Sequence, residues 1–298
     1  MQSLSRGLHI VALSAAVLLP MPVFAHPGSG IVIDRLGQVY FVDMVSGIWR
    51  IDVHGTLIHI PGPAFHWMTL DAGGRFSRTR LPSGSGGEVV RIGVDPTVIL
   101  ASSYPIAFGK DDNLYFPSHG IGAPVQLLKM LPSGQTSIVA SFPATTAGTP
   151  LRDLNGLAAG PQGSLYYTEP NAIRRISKDG RVSTVAQNIV LATCGSVPGM
   201  GSADHPLLRG LDVDAGGTVY VAATGCGSVL RVAPDGRVSI LFQTEGAWSP
   251  TGVALFGDDV YVLEFLGAAS DNRREMVPRV RKIAPDGTTR IFATVTRR

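Results

Sequence analysis

One short pattern recurs six times along the chain, and it constrains the fold more strongly than any other feature. Each copy contains an apolar strand, a polar turn with glycine, and a second, alternating strand that often contains tyrosine. The copies are "GIVIDRLGQVYFVD", "WMTLDAGGRFSRTR", "IAFGKDDNLYFPS", "GLAAGPQGSLYYTE", "GLDVDAGGTVYVAA" and "GVALFGDDVYVLE", beginning at Gly30, Trp67, Ile106, Gly156, Gly210 and Gly252. A second hairpin follows most copies, as in "IRRISKDGRVSTV" and "VLRVAPDGRVSIL". Repetition of this kind indicates a series of equivalent structural units.

Four strands in each of six units predict an all-β protein, a six-bladed β-propeller of four-stranded antiparallel blades. We expect a single domain over residues 26–298, with blades beginning near residues 30, 66, 105, 155, 209 and 250. This gives roughly 45 residues per blade, a usual size for such repeats. The composition agrees, because 36 glycines suit a chain with many tight turns.

The stretch "LDVDAGG" in the fifth copy resembles the opening of a calcium-binding loop. A loop of the EF-hand type needs a glutamate at its twelfth position, and counting from Asp212 that position is Ala223. The equivalent stretches of the other copies have no acid at the position of Asp212, although some keep one at the position of Asp214. We therefore interpret Asp212 and Asp214 as turn formers rather than metal ligands.

The first 25 residues are predicted to be a signal peptide. Arg6 precedes the apolar run "IVALSAAVLL", and "PMPVFA" ends in a small residue at Ala25. Cleavage before His26 would give a periplasmic or secreted protein without membrane insertion, since the apolar run is too short to span a bilayer. The formal net charge is +3, and no basic stripe with interleaved aromatic residues occurs, so we expect no nucleic-acid partner.

The segments "GLDVDAGGTVYVA" and "VLRVAPDGRV" resemble NHL-repeat propellers and the related senescence-marker-protein and gluconolactonase propellers, and the resemblance covers residues 28–296. It implies a scaffold that hosts lactonases, lyases and binding proteins. In the lactonase-type families a divalent metal lies near the channel mouth, held by glutamate, asparagine and aspartate. The matching positions here are Ser29, Asn155 and Arg209. Asn155 alone matches, and the positive charge of Arg209 would repel a cation.

Turn and loop lengths divide the predicted propeller into two unlike faces. Turns inside the hairpins are short and lie on one face, the turn face. The long segments are "TRLPSGSGGE", "SHGIGAPV", "FPATTAGTPLRDL", "NIVLATCGSVPGMGSADHPLL" and "EFLGAASDNRREMVP", and all fall on the opposite face, the loop face. Short turns on one side and elaborated loops on the other predict that the loop face binds the ligand.

Aligning the blades predicts two rings of side chains around the channel mouth on the loop face. The residues that enter the innermost strands are Ser29, His66, Tyr104, Asn155, Arg209 and Thr251. The residues that leave the second strands are Asp43, Arg80, Ser118, Glu169, Ala223 and Glu264, and His119 follows directly after Ser118. Carboxylates, arginines and histidines are thus predicted to converge at one end of the channel.

Three interpretations of these rings stay open. In the first, Arg80 and Arg209 neutralise Asp43, Glu169 and Glu264 in structural ion pairs. In the second, the arginines bind a small polar or anionic ligand, and His66, His119 and Tyr104 add hydrogen bonds.

In the third, a carboxylate or histidine is the base of a metal-assisted hydrolase or lyase. A calcium or zinc ion would then be the cofactor, with Asp43, Asn155, Glu169 and Glu264 as ligands. A protein partner bound through the long loops is a further alternative.

The two cysteines of the chain are predicted to form a disulfide. Cys194 lies in the connection before blade five, and Cys226 lies in a loop of that blade on the same face. An exported protein favours their pairing, and the absence of a C-x-x-C motif argues against a redox centre. The bond would fasten a long loop beside the channel mouth.

Overall fold

A computed structural model of the chain describes residues 27–82, 89–94, 97–118, 125–142, 154–192, 194, 202, 205–267, 270 and 272–296. Its strands form six antiparallel sheets, five with four strands in chain order and one with three. The predicted six-bladed, all-β fold is therefore confirmed. The predicted signal peptide and parts of each long loop lie outside the described residues.

The strands are numbered in chain order. Blade one contains β1 (Ile31–Ile33), β2 (Val39–Asp43), β3 (Gly47–Ile51) and β4 (Leu57–Ile60), and blade two contains β5 (Trp67–Asp71), β6 (Val89–Val94) and β7 (Thr97–Ser102). Blade three contains β8 (Ala107–Phe108), β9 (Leu114–Ser118), β10 (Val125–Met130) and β11 (Thr136–Phe142), and blade four contains β12 (Gly156–Ala159), β13 (Leu165–Glu169), β14 (Ala172–Ile176) and β15 (Val182–Ala186). Blade five contains β16 (Leu208–Val213), β17 (Val219–Ala223), β18 (Ser228–Val232) and β19 (Val238–Gln243), and blade six contains β20 (Trp248–Phe256), β21 (Asp259–Leu266), β22 (Val277–Ile283) and β23 (Thr289–Thr294). Short 3₁₀ turns occupy Pro161–Gly163, Thr224–Cys226 and Arg273–Glu275.

An aspartate and a glycine build the same tight turn in several hairpins on the turn face. The Oδ1 atoms of Asp34, Asp52 and Asp214 each accept the backbone N–H four residues later, at 2.9, 2.8 and 2.8 Å. The glycine three residues after each aspartate has a positive φ of 82°, 84° and 85°. A side chain would strain this left-handed backbone. Asp214 is thus a turn former, as predicted.

The glycine that opens four of the six copies brings neighbouring inner strands close together at the loop face. A Cβ atom added to Gly30, Gly156, Gly210 or Gly252 would lie 2.9, 2.5, 2.8 or 2.2 Å from the backbone of the next blade's inner strand or its lead-in. No side chain fits into such a gap. The channel therefore narrows here, and the residue before each glycine lies beside the mouth.

Blade two departs from the predicted order of strands. The inner strand β5 pairs with β7, and β7 pairs with β6, so the order is first, third, second along the chain. Residues 72–82, predicted to include the second strand, form turns instead. Asp71 explains this, because its carboxylate accepts the backbone N–H groups of Arg75 at 3.0 Å and Phe76 at 2.7 Å. These bonds hold the chain in a turn.

The ring closes by packing between blade six and blade one, without exchange of a strand. Each of these two sheets consists of four consecutive strands. Phe41 of blade one and Phe265, Met276 and Val280 of blade six belong to one fully buried apolar cluster. Burial of each such side chain contributes roughly 1.5–3 kcal/mol. Thr251 adds a polar link, because its hydroxyl donates to the carbonyl of Gly28 at 2.7 Å.

In the described part of the chain, no helix has both the length and the apolar character needed to cross a membrane.

Candidate functional site at the channel mouth

The inner strands bring five of the predicted entry residues to their expected places in the fold. His66 and Asn155 directly precede β5 and β12, Arg209 lies near the start of β16, and Thr251 lies within β20. Ser29 lies two residues before β1, and its backbone N–H donates to the carbonyl of His66 at 2.7 Å. Hydrogen bonds between blades therefore fix the backbone of this ring.

Arg209 connects blade five to the segment that leads into blade one. Its Nη1 atom donates to the carbonyl oxygen of Pro27 at 3.0 Å. Burial lowers the pKa of Arg209 to about 10, so the guanidinium stays charged at neutral pH. The side chain thus brings a positive charge to the loop-face end of the innermost strands.

Ser29 adds a polar atom beside the same strands. The residue is buried, and within the described residues its Oγ atom has no hydrogen-bond partner. Its carbonyl lies next to Gly210 and Gly252, 3.3 and 2.2 Å from where their Cβ atoms would be. Ser29 therefore lies against the inner strands of blades five and six, including the strand that carries Arg209. A buried hydroxyl without a partner is costly, so an ordered water or a bound ligand is expected to pair with it.

Glu169 is paired with an arginine that sequence analysis did not identify. It ends β13 as predicted, and its Oε2 atom accepts bonds from Nε and Nη2 of Arg174 at 3.0 and 2.9 Å. Arg174 lies on the adjacent strand β14, and its Nη1 also donates to Thr184 and Gln187. The carboxylate is thus part of an ion pair between the second and third strands of blade four.

Glu264 is the centre of a buried ion triad in blade six. The residue is 0% exposed, and its two carboxylate oxygens accept bonds from Arg279 and Arg281 of β22. The guanidinium of Arg279 lies 3.7 Å from the ring centre of Trp248, and that of Arg281 lies 4.6 Å from the ring centre of Phe242. Two charged partners and two aromatic rings therefore enclose the glutamate.

Asp43 stabilises the connection between the second and third strands of blade one. The residue is 0% exposed. Its carboxylate accepts the backbone N–H of Val45 at 3.1 Å and the hydroxyl of Ser46 at 2.5 Å. These bonds give it a structural role in the turn.

Arg80, Tyr104 and His119 are the remaining candidate residues that were predicted to lie at the channel mouth. Arg80 is exposed in the turn segment 72–82, and the neighbouring Thr79 donates to Pro132 in the outer turn of blade three at 2.6 Å. The prediction that Arg80 lies at the channel mouth is therefore wrong, because the strand expected to carry it is absent. Tyr104 is half-buried before β8, and His119 lies outside the described residues.

The pairing of the glutamates argues against the metal site. No group of three or more histidine, cysteine, aspartate or glutamate side chains in the described residues could hold a metal ion. Glu169 and Glu264 are bound to arginines, and Arg209 stands where a ligand would be needed. These residues do not fit a divalent cation, since bound arginine charges oppose one.

The predicted disulfide joins Cys194 and Cys226. Cys226 is buried in the 3₁₀ turn Thr224–Cys226. The backbone N–H groups of Thr224 and Gly225 donate to the carbonyls of Leu207 and Pro206 at 3.1 and 3.0 Å. The disulfide thus stabilises the turn to which the segment before Arg209 is fastened.

Below the mouth, all six inner strands line a central channel with a volume of about 490 Å³. Its wall combines apolar side chains, such as those of Ile31, Leu157 and Val253, with polar backbone and side-chain groups. Lys110, Asp212 and Asp214 supply charge toward the turn face. A concave space of this size that has both apolar and polar groups can hold a small molecule.

Asp212 was missed as a channel residue. It lies within β16, not in the turn, so its interpretation as a turn former was wrong. Its carboxylate accepts the backbone N–H of Val213 at 2.8 Å and that of Leu255, in blade six, at 2.9 Å. Burial in the channel wall raises its pKa to about 6, and nearby Lys110 partly opposes this change. The alternation of side chains along "LDVD" could have shown that Asp212 and Asp214 share one face.

We expect the Asp212→Asn variant to weaken the pH dependence of stability. The pKa of Asp212 rises from 3.8 to about 6 in the folded protein, so the folded state binds the proton more tightly than the unfolded state. Its contribution to stability is complete below the unfolded pKa and is lost as pH rises through about 6. Wild type should gain about 1 kcal/mol from this residue between pH 7 and pH 5. Urea unfolding at both pH values measures the gain, and an equal gain in the variant would contradict the assignment.

No protein-family profile matches the chain, and no curated protein matches it in sequence. Solved structures match it in fold. A streptogramin B lyase has a TM-score of 0.51 at 16% identity, with coverage of 94% of this chain and 86% of that chain. A luciferin-regenerating enzyme has a TM-score of 0.53 at 15% identity, with coverage of 86% and 91%.

Regucalcin from Agrobacterium tumefaciens strain C58, a calcium-binding protein, has a TM-score of 0.50 at 14% identity, with coverage of 82% of this chain and 83% of that chain. At such low identity these similarities concern the fold and not a reaction. The chain has a six-bladed propeller fold, and it shares this fold with these solved structures.

Proposed function

We propose that the protein binds a small polar or anionic molecule at the loop-face mouth of its central channel. The position of Arg209 supports this most directly, because its guanidinium bonds to the Pro27 carbonyl beside the innermost strands. A carboxylate or phosphate is a stronger acceptor for guanidinium than a carbonyl is. The hydroxyl of Ser29, which has no partner within the described residues, would add a second contact. The channel is large enough for a small organic molecule.

We also propose that the protein acts outside the cytoplasm. The apolar segment that ends at Ala25 supports export. The disulfide between Cys194 and Cys226 agrees with an oxidising compartment.

An enzyme of the hydrolase or lyase type is the second candidate. The regucalcin and streptogramin B lyase structures resemble this fold, and Asp212 has a pKa suited to proton transfer near neutral pH. The ion pairs of Glu169 and Glu264 argue against the enzyme, because a carboxylate that is bound to an arginine is poorly placed to accept a proton from a substrate. Ligand binding therefore fits the geometry better.

A screen of organic anions, beginning with D-gluconate, tests the proposed site on protein exported with its own residues 1–25. Intact mass shows whether the chain begins at His26. For a ligand found by thermal shift, we expect Arg209→Met to lower affinity by about tenfold or more, because a charged hydrogen bond is lost. Ser29→Ala should lower it by a few-fold.

Arg231→Gln is the matched control, because Arg231 is exposed on the third strand of blade five. Its affinity should stay within about twofold of wild type. Equal binding by wild type, Arg209→Met and Ser29→Ala would contradict the proposed site. Turnover of D-glucono-δ-lactone that is lost in Asp212→Asn would favour the enzyme instead.

A further inference from the structure

The chain contains only four lysines, and three of them line one groove. Lys110, Lys129 and Lys178 surround a cavity of about 320 Å³ between blades three and four. The fourth, Lys282, is in blade six and forms an ion pair with Asp259 at 2.6 Å. The groove opens on the turn face, opposite to the proposed ligand site. We name it the lysine groove.

Two blades build the lysine groove from strands and turns. Lys110 lies in the turn after β8, and Lys129 lies on β10 directly opposite Tyr115 of β9. Lys178 lies in the turn after β14, and its Cδ is 3.8 Å from where a Cβ of Gly163 would be. Gly180 in the same turn closely approaches the Val139 carbonyl, since an added Cβ would lie 2.5 Å from that oxygen. Close contact between the blades thus holds Lys178 against blade three.

The groove has an excess of positive charge. Within the described residues, none of its three lysines forms an ion pair. Asp111 is the acidic side chain in its lining, and it already accepts bonds from Asn113 and from the Tyr115 hydroxyl, both at 2.7 Å.

The acids just outside the lining also have partners or face elsewhere. Asp112 pairs with Arg75 at 2.7 Å, and Asp179 pairs with Arg181 at 3.2 Å. Asp212 and Asp214 line the central channel, which Lys110 also lines, and the charge of Lys110 acts to lower the pKa of Asp212. Three lysines that line one concave space give it a positive potential, which favours a bound anion.

We propose that the lysine groove binds a small, multiply charged oxyanion, such as a phosphorylated or polycarboxylate compound. Lysine ammonium groups are compact charges on flexible stems, which suits recognition of charge rather than of one fixed shape. Gln162 lines the same groove, and its side-chain amide supplies a hydrogen-bond donor. Val139 and Leu165 give it an apolar floor.

Calorimetry with inorganic pyrophosphate and with citrate, at constant ionic strength, tests this site. We expect Lys129→Gln and Lys178→Gln each to lower the affinity by about tenfold, because each removes a charged contact to the anion. Arg237→Gln is the matched control, since it removes one positive charge from the outer turn of blade five, on the same face. It should change affinity by less than about twofold. Binding of pyrophosphate alone would assign a phosphorylated ligand, and equal binding of citrate would assign a polycarboxylate.

Lysine acylation followed by peptide mass spectrometry gives a second readout that does not depend on a variant. Pyrophosphate should slow the modification of Lys110, Lys129 and Lys178 and leave Lys282 unaffected. The proposal is overturned if neither anion binds wild type, if the double variant Lys129→Gln/Lys178→Gln binds as tightly as wild type, or if Lys282 is protected equally. Arg209→Met should bind pyrophosphate normally, which separates this site from the channel mouth.

Discussion

Replacement of Glu264 by glutamine should destabilise the protein by about 3–5 kcal/mol, the usual cost of breaking a buried ion network. Glu264 is 0% exposed, and the side chains of Arg279 and Arg281 are 11% and 9% exposed. The neutral amide would leave both guanidinium groups buried without a countercharge. The melting temperature should fall by roughly 10 °C, and calorimetry measures it.

Two further variants separate the loss of charge from a general defect of folding. Asp179→Asn breaks the exposed ion pair between Asp179 and Arg181, whose side chains are 59% and 87% exposed, and should leave the melting temperature nearly unchanged. The triple variant Glu264→Met/Arg279→Leu/Arg281→Met removes all three charges and should recover much of the lost stability. A Glu264→Gln protein that melts at the wild-type temperature would refute the structural role and restore Glu264 as a candidate for the site.

Removal of the disulfide should cost about 3–4 kcal/mol. Cys194 and Cys226 are separated by 32 residues, and closing a loop of this length lowers the entropy of the unfolded chain by about that amount. Urea unfolding of Cys194→Ala/Cys226→Ala measures the loss. Wild type in reductant should match the variant, and the variant should not respond to reductant.

The loss should also extend to the channel mouth. The disulfide helps to hold the turn Thr224–Cys226 in place. Backbone N–H groups of this turn donate hydrogen bonds to the carbonyls of Pro206 and Leu207, just before Arg209. Ligand affinity at the mouth should therefore fall in the cysteine variant, while pyrophosphate binding in the lysine groove should not change. If the wild type has the same urea midpoint with and without reductant, the disulfide does not form in the purified protein.

Much of the fold could be predicted from the sequence because its signals are local. The alternation of side chains defines the strands, and an aspartate followed by glycine three residues later defines several turns. Glycine opens several repeats because the inner strands of neighbouring blades lie close together there, as at Gly252. Blade two was predicted less well, because the carboxylate of Asp71 turns the chain where a strand was expected.

The candidate site was predicted only in outline. The entry ring follows from the repeat, so Asn155 and Arg209 lie where expected. The arginine partners of the two glutamates were missed because the prediction considered only residues of the two rings, and these arginines lie on the adjacent third strands. In blade six, Glu264 lies directly opposite Arg279 in the register of β21 and β22, and a careful alignment of that hairpin could have found the pair.

The sequence by itself determined the number of blades, the position of the inner strands and the pairing of the two cysteines, since these follow from a repeated pattern and from composition. Only the tertiary structure decided which charged and polar groups come together. Arg209 reaches Pro27, and Lys110, Lys129 and Lys178 share one groove, although they are far apart in the chain. Such contacts depend on strand register and on how adjacent blades pack, and a local pattern of residues does not specify either.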